Sequence, residues 1–163
     1  MTWTGYLDVA DRSWPVLRRF FGAHTAVYRA TNGLVGHRLP GLPPMLLLDH
    51  VGARSGTLRT TPLLYVEEGD NLVIVASKGG HPRHPSWFHN LQANPETTVQ
   101  VGSKRLAVRA RIATPSERER LWPSVIRAYR GYEDYQRRAP REIPLVILEP
   151  RTPASRGEPS SGA

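Results

Sequence analysis

The sequence predicts a mainly β fold with helices (class α+β), an antiparallel barrel or Greek-key sheet of about six strands with helices outside it. Three observations predict this fold. Short apolar and β-branched runs recur along the chain, tight turns join two pairs of these runs, and segments with helical spacing fall between them. Regular alternation of one strand with one helix, which is typical of a parallel sheet, is absent.

The first element is a predicted amphipathic helix over 14–30, with apolar residues at helical spacing and arginines on or near the polar side. Asn32, Gly33 and Gly36 end it. Packing on its own domain is the favoured interpretation, and contact with a membrane surface is the alternative. The predicted domains are this N-terminal helical segment, residues 1–33, and a barrel domain, residues 34–150.

Strands are predicted for the short apolar or β-branched segments 45–51, 57–67, 72–77, 97–101, 105–113 and 143–149. The turns at 68–71 and 102–103 make hairpins of two strand pairs. Pro62 interrupts the second strand. Because proline donates no backbone hydrogen bond, it predicts an edge or a bulge there.

Two more helices are predicted, over 85–93 and from Pro115 to about Tyr129. Thr114 and Glu117 have the spacing of a capping box at the start of the second. A polar aromatic stretch over 132–138 follows it. The tail, residues 151–163, is rich in proline, serine and glycine and is predicted to be disordered.

Charge and composition narrow the class of partner. The formal net charge is +8 at pH 7, which favours a polyanion or a phosphorylated ligand, with a solvated arginine-rich surface as the alternative. The chain has no cysteine, which excludes disulfides and thiolate sites and fits a cytoplasmic location. No secretory signal and no apolar run of membrane-spanning length is evident in the sequence.

The loop and strand start over 51–62 form the most informative stretch. Gly52 and Gly56 allow a tight backbone with exposed amides, and the side chains that add hydrogen-bond donors suited to phosphate are Arg54, Ser55, Arg59 and Thr61. The order of residues matches neither a P-loop, nor a dinucleotide fingerprint, nor the nucleophile elbow of hydrolases. An ordinary hairpin loop with exposed arginines is the alternative.

A second stretch, residues 76–85, follows the third predicted strand and combines the cations Lys78 and Arg83 with two glycines. Its histidines, with His89, suggest a metal site. Neighbouring carboxylates are lacking, however, and prolines break any helix that would align the imidazoles, so no metal is expected.

Tyr129, Tyr132 and Tyr135 are spaced by three residues, so on a helical turn they would share one face. Such a row serves either as core packing or as the wall of an aromatic ligand site with phenolic donors. No Ser-His-Asp order and no carboxylate pair stands out. The missing acid–base machinery favours chemistry carried by a bound cofactor.

At these same stretches the chain resembles the deazaflavin-dependent nitroreductase family of actinobacterial oxidoreductases. The matching segments are Gly52–Pro62 with the following Leu-Leu-Tyr, Val-Ala-Ser-Lys-Gly-Gly at 75–80, Pro-Ser-Trp-Phe-His-Asn-Leu-Gln-Ala-Asn-Pro at 85–95, the tyrosine row, and Arg-Glu-Ile-Pro at 141–144. The resemblance extends from about residue 34 to residue 150. It departs from the family pattern at Ala53, where a basic residue is usual, and at Leu64, where an aromatic is frequent.

The resemblance implies a six-stranded split β-barrel of the FMN-binding type that transfers hydride from reduced coenzyme F-420 to a quinone, an activated alkene or a nitroaromatic. It assigns the cofactor's phosphate and acidic tail to Arg54, Ser55, Arg59, Thr61 and Pro62. The residues that it places along the deazaflavin are Ala76, Ser77, Lys78, Gly79 and Trp87. The acceptor would be oriented, or given a proton, by Ser77, Tyr129, Tyr132 or Tyr135.

Basic side chains at Arg54, Arg59, Lys78 and Lys104 would together make a groove for an anionic tail. Three alternatives remain open. The first is a flavin mononucleotide oxidoreductase on the same barrel. The second is a basic nucleic-acid-binding module, which lacks a recognisable signature in this sequence. The third is a non-catalytic cofactor carrier or membrane-associated partner.

Overall fold

The computed structural model describes residues 19–151. The first residues of the predicted N-terminal helix, 14–18, and the predicted disordered tail beyond residue 151 lie outside that range. Within it, six strands are formed: β1 Met45–Val51, β2 Leu58–Glu68, β3 Asn71–Val75, β4 Glu96–Val101, β5 Lys104–Ile112 and β6 Leu145–Pro150. The helices are α1 over 19–30, α2 Ser86–Ala93, α3 Pro115–Ala128 and α4 Gly131–Arg138.

The strands close into an antiparallel barrel in the order β1-β2-β3-β6-β5-β4. Each neighbouring pair is antiparallel, including the closing pair β1–β4. Closure removes the free edges that an open sheet would leave. The predicted mainly β class, the six antiparallel strands and the outer helices are therefore confirmed.

Strand alternation divides the apolar residues between two cores. Inward-facing side chains of all six strands fill the barrel with α2, and the fully buried ones include Leu46, Leu48, Ile74, Val99 and Leu148. Outward-facing residues of β2, β3 and β6 form a second core under α3 and α4, to which Leu121, Val125 and Tyr132 contribute. Two helices thus cover only one side of the barrel.

Pro62 lies within an unbroken register between β1 and β2, opposite Leu47. The pairing of β2 with β3 begins only at Tyr65, so this part of β2 pairs on one side. The predicted edge is confirmed. The alternative of a bulge is wrong, because the one-sided pairing already leaves a position for a residue that has no N–H.

Helix α3 begins as predicted, with Thr114 as its N-cap, Pro115 in its first turn and a reciprocal capping box with Glu117. The polar aromatic stretch that follows is itself a helix, α4, which the sequence pattern did not reveal. Most side chains of α4 are polar or charged, and Tyr132 is the one residue of this helix that is buried.

Helix α1 is attached to the barrel through Tyr28, which has no exposed surface. Its hydroxyl donates to the Met45 carbonyl at 3.0 Å and accepts the Gly102 N–H at 2.8 Å. Arg29 adds an ion pair of 2.6 Å to the buried carboxylate of Asp49. The last turns of α1 therefore pack on the same domain as the barrel.

Candidate functional site

Both motif-bearing segments lie at one end of the barrel. Strands β1 and β3 run in the same direction, so the loop after β1, residues 52–57, and the segment after β3, residues 76–85, leave the barrel together. Helix α2 packs against β1 and fills the interior at this end. We call this region, formed by residues 52–57, residues 76–85 and α2, the loop end.

The loop over 52–57 is closed by its own hydrogen bonds. Gly52 N–H donates to the Thr57 carbonyl at 2.9 Å, and Gly56 N–H to the Gly52 carbonyl at 2.8 Å. Thr57 N–H donates to Ser55 Oγ at 3.3 Å, and Ala53 N–H to Asn90 Oδ1 at 2.9 Å. The expectation that the tight backbone exposes its amides is wrong for these four groups, because each of them already donates to a protein acceptor.

The side chains of the loop remain available for a ligand. Ser55 Oγ already accepts a hydrogen bond, so its hydroxyl proton is left to donate. Arg54 and Arg59 are exposed, and neither forms an ion pair with any carboxylate in residues 19–151. Arginines elsewhere on the barrel are mostly paired, as Arg29 and Arg105 are with Asp49. The loop end therefore concentrates uncompensated positive charge.

Beneath this loop lies a network of polar side chains that the sequence pattern did not single out. His50 of β1 is 4% exposed, and its ring nitrogens lie 2.9 Å from Asn90 Nδ2 and 3.0 Å from Thr61 Oγ1. Burial lowers the pKa of His50, and the nearby guanidinium of Arg59 lowers it further. A histidine in an apolar strand and an asparagine 40 residues later give no local signal of their contact.

The segment after β3 holds a strained turn. Lys78 has a φ of 46°, in the left-handed region that non-glycine residues seldom occupy, and Gly79 and Gly80 continue it at 64° and 83°. Gly80 packs so closely on α4 that a Cβ there would lie 2.7 Å from the Tyr135 carbonyl oxygen. Such strain persists where surrounding contacts enforce it, and it concentrates at ligand sites.

Arg141 holds this segment in place. Its Nε donates to the His81 carbonyl at 3.1 Å, and its Nη2 to the carbonyls of Ala76 and Ser77 at 3.1 and 3.3 Å. Burial lowers the pKa of Arg141. Its third nitrogen, Nη1, is buried with no hydrogen-bond partner among the described residues.

The other predicted cofactor residues differ in what they expose. The side chains of Ala76 and Trp87 belong to the barrel core, at 0% and 6% exposure, and Ser77 is also buried. Pro62 is partly buried on β2. Ala76 therefore has only backbone to offer, whereas Lys78 and Gly79 are partly exposed in the strained turn.

The three predicted tyrosines are brought together, but across a helix junction rather than on one helix. Tyr129 caps the end of α3, while Tyr132 and Tyr135 belong to α4. The ring centroids are 5.1 to 6.2 Å apart, and the hydroxyls of Tyr129 and Tyr135 are 3.4 Å apart. Burial raises the pKa of Tyr132, and its two tyrosine neighbours raise it further.

An open groove of about 430 Å³ runs along the outside of β2, between Pro43, Pro44, Tyr65 and Ala128, with Arg38 and Glu67 at its polar side. A narrow crevice continues from it to Leu64, Val75 and Tyr132. Of the three tyrosines, Tyr132 alone lines this crevice, which is too narrow to hold a water molecule. None of the predicted tail-binding residues lines either space.

Lys104 does not join the basic groove, contrary to expectation. It begins β5 opposite Val101, at the barrel end where β4 finishes, whereas the loop over 52–57 lies at the opposite end.

Within residues 19–151, no cluster of three or more histidines and carboxylates is arranged to hold a metal ion. None of the helices described there combines the length and apolar character needed to cross a bilayer.

Comparison with known proteins gives a consistent result. The model of a family described as "F420H(2)-dependent quinone reductase" matches residues 20–150. A quinone reductase of the same description from Mycobacterium tuberculosis (strain H37Rv) is 49% identical over 131 residues, which cover 78% of this chain and 88% of the relative.

Two solved structures are similar in fold and sequence. An F-420-H2 dependent reductase (FDR-A) has a TM-score of 0.60 and 45% identity, covering 65% of this chain and 94% of its own. A structure described as a domain-swapped dimer has a TM-score of 0.63 and 39% identity, covering 83% of this chain and 99% of its own. With its family model matched over most of its length, the chain belongs to the F420H(2)-dependent quinone reductase family.

Proposed function

We propose that this chain is an oxidoreductase that transfers hydride from reduced coenzyme F-420 to a quinone. The observation that carries the proposal is a pair of exposed arginines, Arg54 and Arg59, next to hydroxyl donors in and just after the loop over 52–57, in a chain of this family. Arg54 and Arg59 have no carboxylate partner in the described range, and Ser55 and Thr61 lie beside them. Charge-assisted hydrogen bonds from such a set suit an anionic cofactor.

The residues present fit the cofactor on structural grounds. Its phosphate and acidic tail need several cationic and hydroxyl donors, which the loop over 52–57 and the start of β2 supply. The strained turn at Lys78–Gly80 brings backbone close to a ligand without intervening side chains at its two glycines. The orphaned Nη1 of Arg141, just behind this segment, is a buried donor that a bound polar group would satisfy.

When bound, reduced F-420 supplies a hydride, and reduction of a quinone to a quinol requires one further proton. The chain's own contribution is to bind, to orient and to deliver that proton. Tyr132 stays protonated through the physiological range, because burial raises its pKa. We propose that Ser77 and one of Tyr129, Tyr132 or Tyr135 orient the acceptor or pass it the proton.

The groove beside β2 is an open apolar surface at the barrel end where β1 begins. Leu42, the two prolines and Tyr65 give it an apolar floor. Leu64, which stands where an aromatic is frequent in the family, lines the narrow crevice beside Tyr132. Because the family is described as quinone reductases, we place quinones first among acceptors and keep activated alkenes and nitroaromatics as further substrates to be tested.

The test is an equilibrium titration with F-420 and, separately, with flavin mononucleotide. We expect tight binding of F-420 and weak binding of the flavin, whereas the opposite order would favour the flavin alternative. Arg59→Ala should weaken F-420 binding about tenfold or more, through loss of a charge-assisted bond. Arg109→Ala is the matched control, because Arg109 is also exposed but pairs with Glu96 on the outside of the barrel.

We further propose a cytoplasmic location with peripheral membrane contact through the N-terminal helix. Phe20, Leu34 and Val35 are 66%, 91% and 54% exposed on α1 and the turn after it. Exposed apolar side chains flanked by Arg19 and Arg38 suit an anionic lipid surface.

Co-sedimentation with phosphatidylglycerol vesicles tests this contact. Deleting the helix would expose the buried Tyr28 contacts, so the informative variant changes only the surface, Phe20→Ser with Leu34→Ser. We expect the native chain to sediment with the vesicles and the double variant to remain in solution. Absence of the native chain from the pellet would refute membrane contact.

A further inference from the structure

A continuous chain of hydrogen bonds runs beneath the loop end, from the loop backbone to Thr61. The Ala53 N–H lies 2.9 Å from Asn90 Oδ1, Asn90 Nδ2 lies 2.9 Å from His50 Nδ1, and His50 Nε2 lies 3.0 Å from Thr61 Oγ1. It joins the loop, α2, β1 and β2. His50 and Asn90 are both buried, so water does not substitute for these contacts.

The direction of every bond in this chain is fixed by its first donor. A backbone N–H can only donate, so the oxygen of the Asn90 amide faces Ala53 and its NH2 group faces His50. An NH2 group also only donates, so His50 Nδ1 accepts and carries no proton. The single proton of the neutral imidazole is then on Nε2, which donates to Thr61 Oγ1.

This polarity leaves the Thr61 hydroxyl as a donor. Its oxygen receives the bond from His50, and within residues 19–151 its own proton forms no hydrogen bond to a protein acceptor. Thr61 lies on β2 two residues after the unpaired Arg59. An anion beside Arg59 is the acceptor that this proton lacks.

We propose that His50 and Asn90 are positioning residues that hold the Thr61 hydroxyl as a donor toward the anionic tail of the deazaflavin cofactor. The inference rests on the proposed function, because it needs that tail at the loop end. It assigns a role to two buried residues that contact no ligand themselves.

The charges around His50 agree with this polarity. Burial lowers its pKa, Arg59 on β2 lowers it further, and Asp49 on β1 acts in the opposite direction. Asn90, on the helix packed against β1, presents a neutral amide. His50 is therefore neutral at pH 7. Protonation of His50 Nδ1 would place its N–H opposite the NH2 group of Asn90, so two donors would face each other and this hydrogen bond would be lost.

The first experiment separates the tail from the ring of the cofactor. Thr61→Val keeps the branched shape and removes the donor, and we expect the affinity for F-420 to fall about tenfold. Affinity for the deazaflavin riboside, which lacks phosphate and glutamates, should not change. Thr60→Val is the matched control, because the Thr60 hydroxyl donates to Asp49 Oδ1 at 2.6 Å. It should leave both affinities unchanged.

A double-mutant cycle then tests whether His50 acts through Thr61. His50→Leu should weaken F-420 binding about as much as Thr61→Val, and the two together should cost no more than either alone. His50→Gln, which keeps an N–H at the reach of Nε2, should recover much of the affinity. Additive losses, or an equal loss of riboside affinity, would show a merely structural role and overturn the inference.

The tautomer can be measured in the native chain, independently of any variant that fails to fold. Nitrogen-resolved NMR of His50 should show Nδ1 unprotonated and Nε2 protonated at pH 7. The reverse tautomer or an imidazolium would overturn the inference. If the native chain binds the riboside and F-420 equally weakly, the proposed function fails. If F-420 binds tightly and Thr61→Val binds it equally well, the inference alone fails.

Discussion

Two arginines at the candidate site differ from most other arginines of the barrel because they form no ion pair. Most arginines on the barrel surface neutralise a carboxylate, whereas Arg54 and Arg59 do not within the described chain. An exposed ion pair contributes little to stability, so the pairing pattern matters more for ligand binding than for the fold. Unpaired cations next to Ser55 and Thr61 are what an anionic ligand requires.

At the same scale, Tyr132→Phe tests the tyrosine cluster. Phenylalanine preserves the buried ring and its contacts, which place Tyr132 5.1 Å from the Tyr129 ring, and removes only the hydroxyl. If this hydroxyl orients the acceptor or delivers the proton, kcat with menadione should fall at least about tenfold while F-420 affinity stays constant. Unchanged turnover in all three single phenylalanine variants of the cluster would remove the tyrosines from the mechanism.

At the scale of elements, the segment after β3 is held by distant partners rather than by its own sequence. Arg141, which lies between α4 and β6, bonds four carbonyls of this segment, and Gly80 packs against α4. Gln136 links the same region, because its Oε1 accepts from Arg118 and from the Ile143 N–H. The strained Lys78 conformation is therefore supported from α4 and the following link.

Arg141→Lys tests this support. A lysine ammonium lacks the planar fork that lets one guanidinium bond several carbonyls, so buried acceptors would lose their donors. We expect the free energy of unfolding to fall by about 1–3 kcal/mol in denaturant titrations, together with weaker binding of the deazaflavin riboside. Arg109→Lys serves as the surface control. Native stability and riboside affinity in Arg141→Lys would contradict this account of the segment.

The start of α3 offers a test by pH. The hydrogen bonds from Arg111 and then from Thr114 N–H lower the pKa of Glu117 to about 2, from an ordinary value of 4.5. Because the folded-state pKa is the lower one, the stabilisation is complete above pH 4.5 and is lost as the pH falls toward 2. Glu117→Gln should therefore unfold more easily than the native chain near neutral pH, with the difference shrinking in acid.

Denaturant unfolding at several pH values measures that difference. Glu119→Gln, at an exposed position of the same helix, is the control and should show no such pH-dependent gap. A gap for Glu117→Gln that stays constant down to pH 2 would contradict the role of the charge.

The observed strands and helices show which parts of the fold local sequence patterns can predict. Local signals predicted the strands, the hairpin turns, the capping box at Thr114 and the glycine loop. Helix α4 was missed because an octapeptide that begins with glycine and carries mostly charged side chains has too few apolar residues to predict a helix. The network of His50 and Asn90, and the bonds of Arg141, were missed because their partners are distant in sequence and become neighbours only when the barrel closes.

In the whole molecule, the candidate ligand-binding residues and the elements that hold them in place belong to different parts of the barrel. Its interior is filled mainly by apolar side chains, and the candidate site residues lie at the loop end and on the side covered by α3 and α4. Parallel directions of β1 and β3 bring the two glycine-containing segments together, while α4 and Arg141 brace the second of them. Closure of the barrel thus places candidate site residues from distant parts of the sequence at one end of the scaffold.

The most direct test of the central claim is anaerobic reoxidation of reduced F-420 by menadione, followed by deazaflavin absorbance with and without the protein. We expect reoxidation that depends on both the protein and the acceptor, that Arg59→Ala slows at limiting cofactor, and that reduced flavin mononucleotide does not support. Reoxidation no faster than in the protein-free control, despite a folded chain, would contradict that claim.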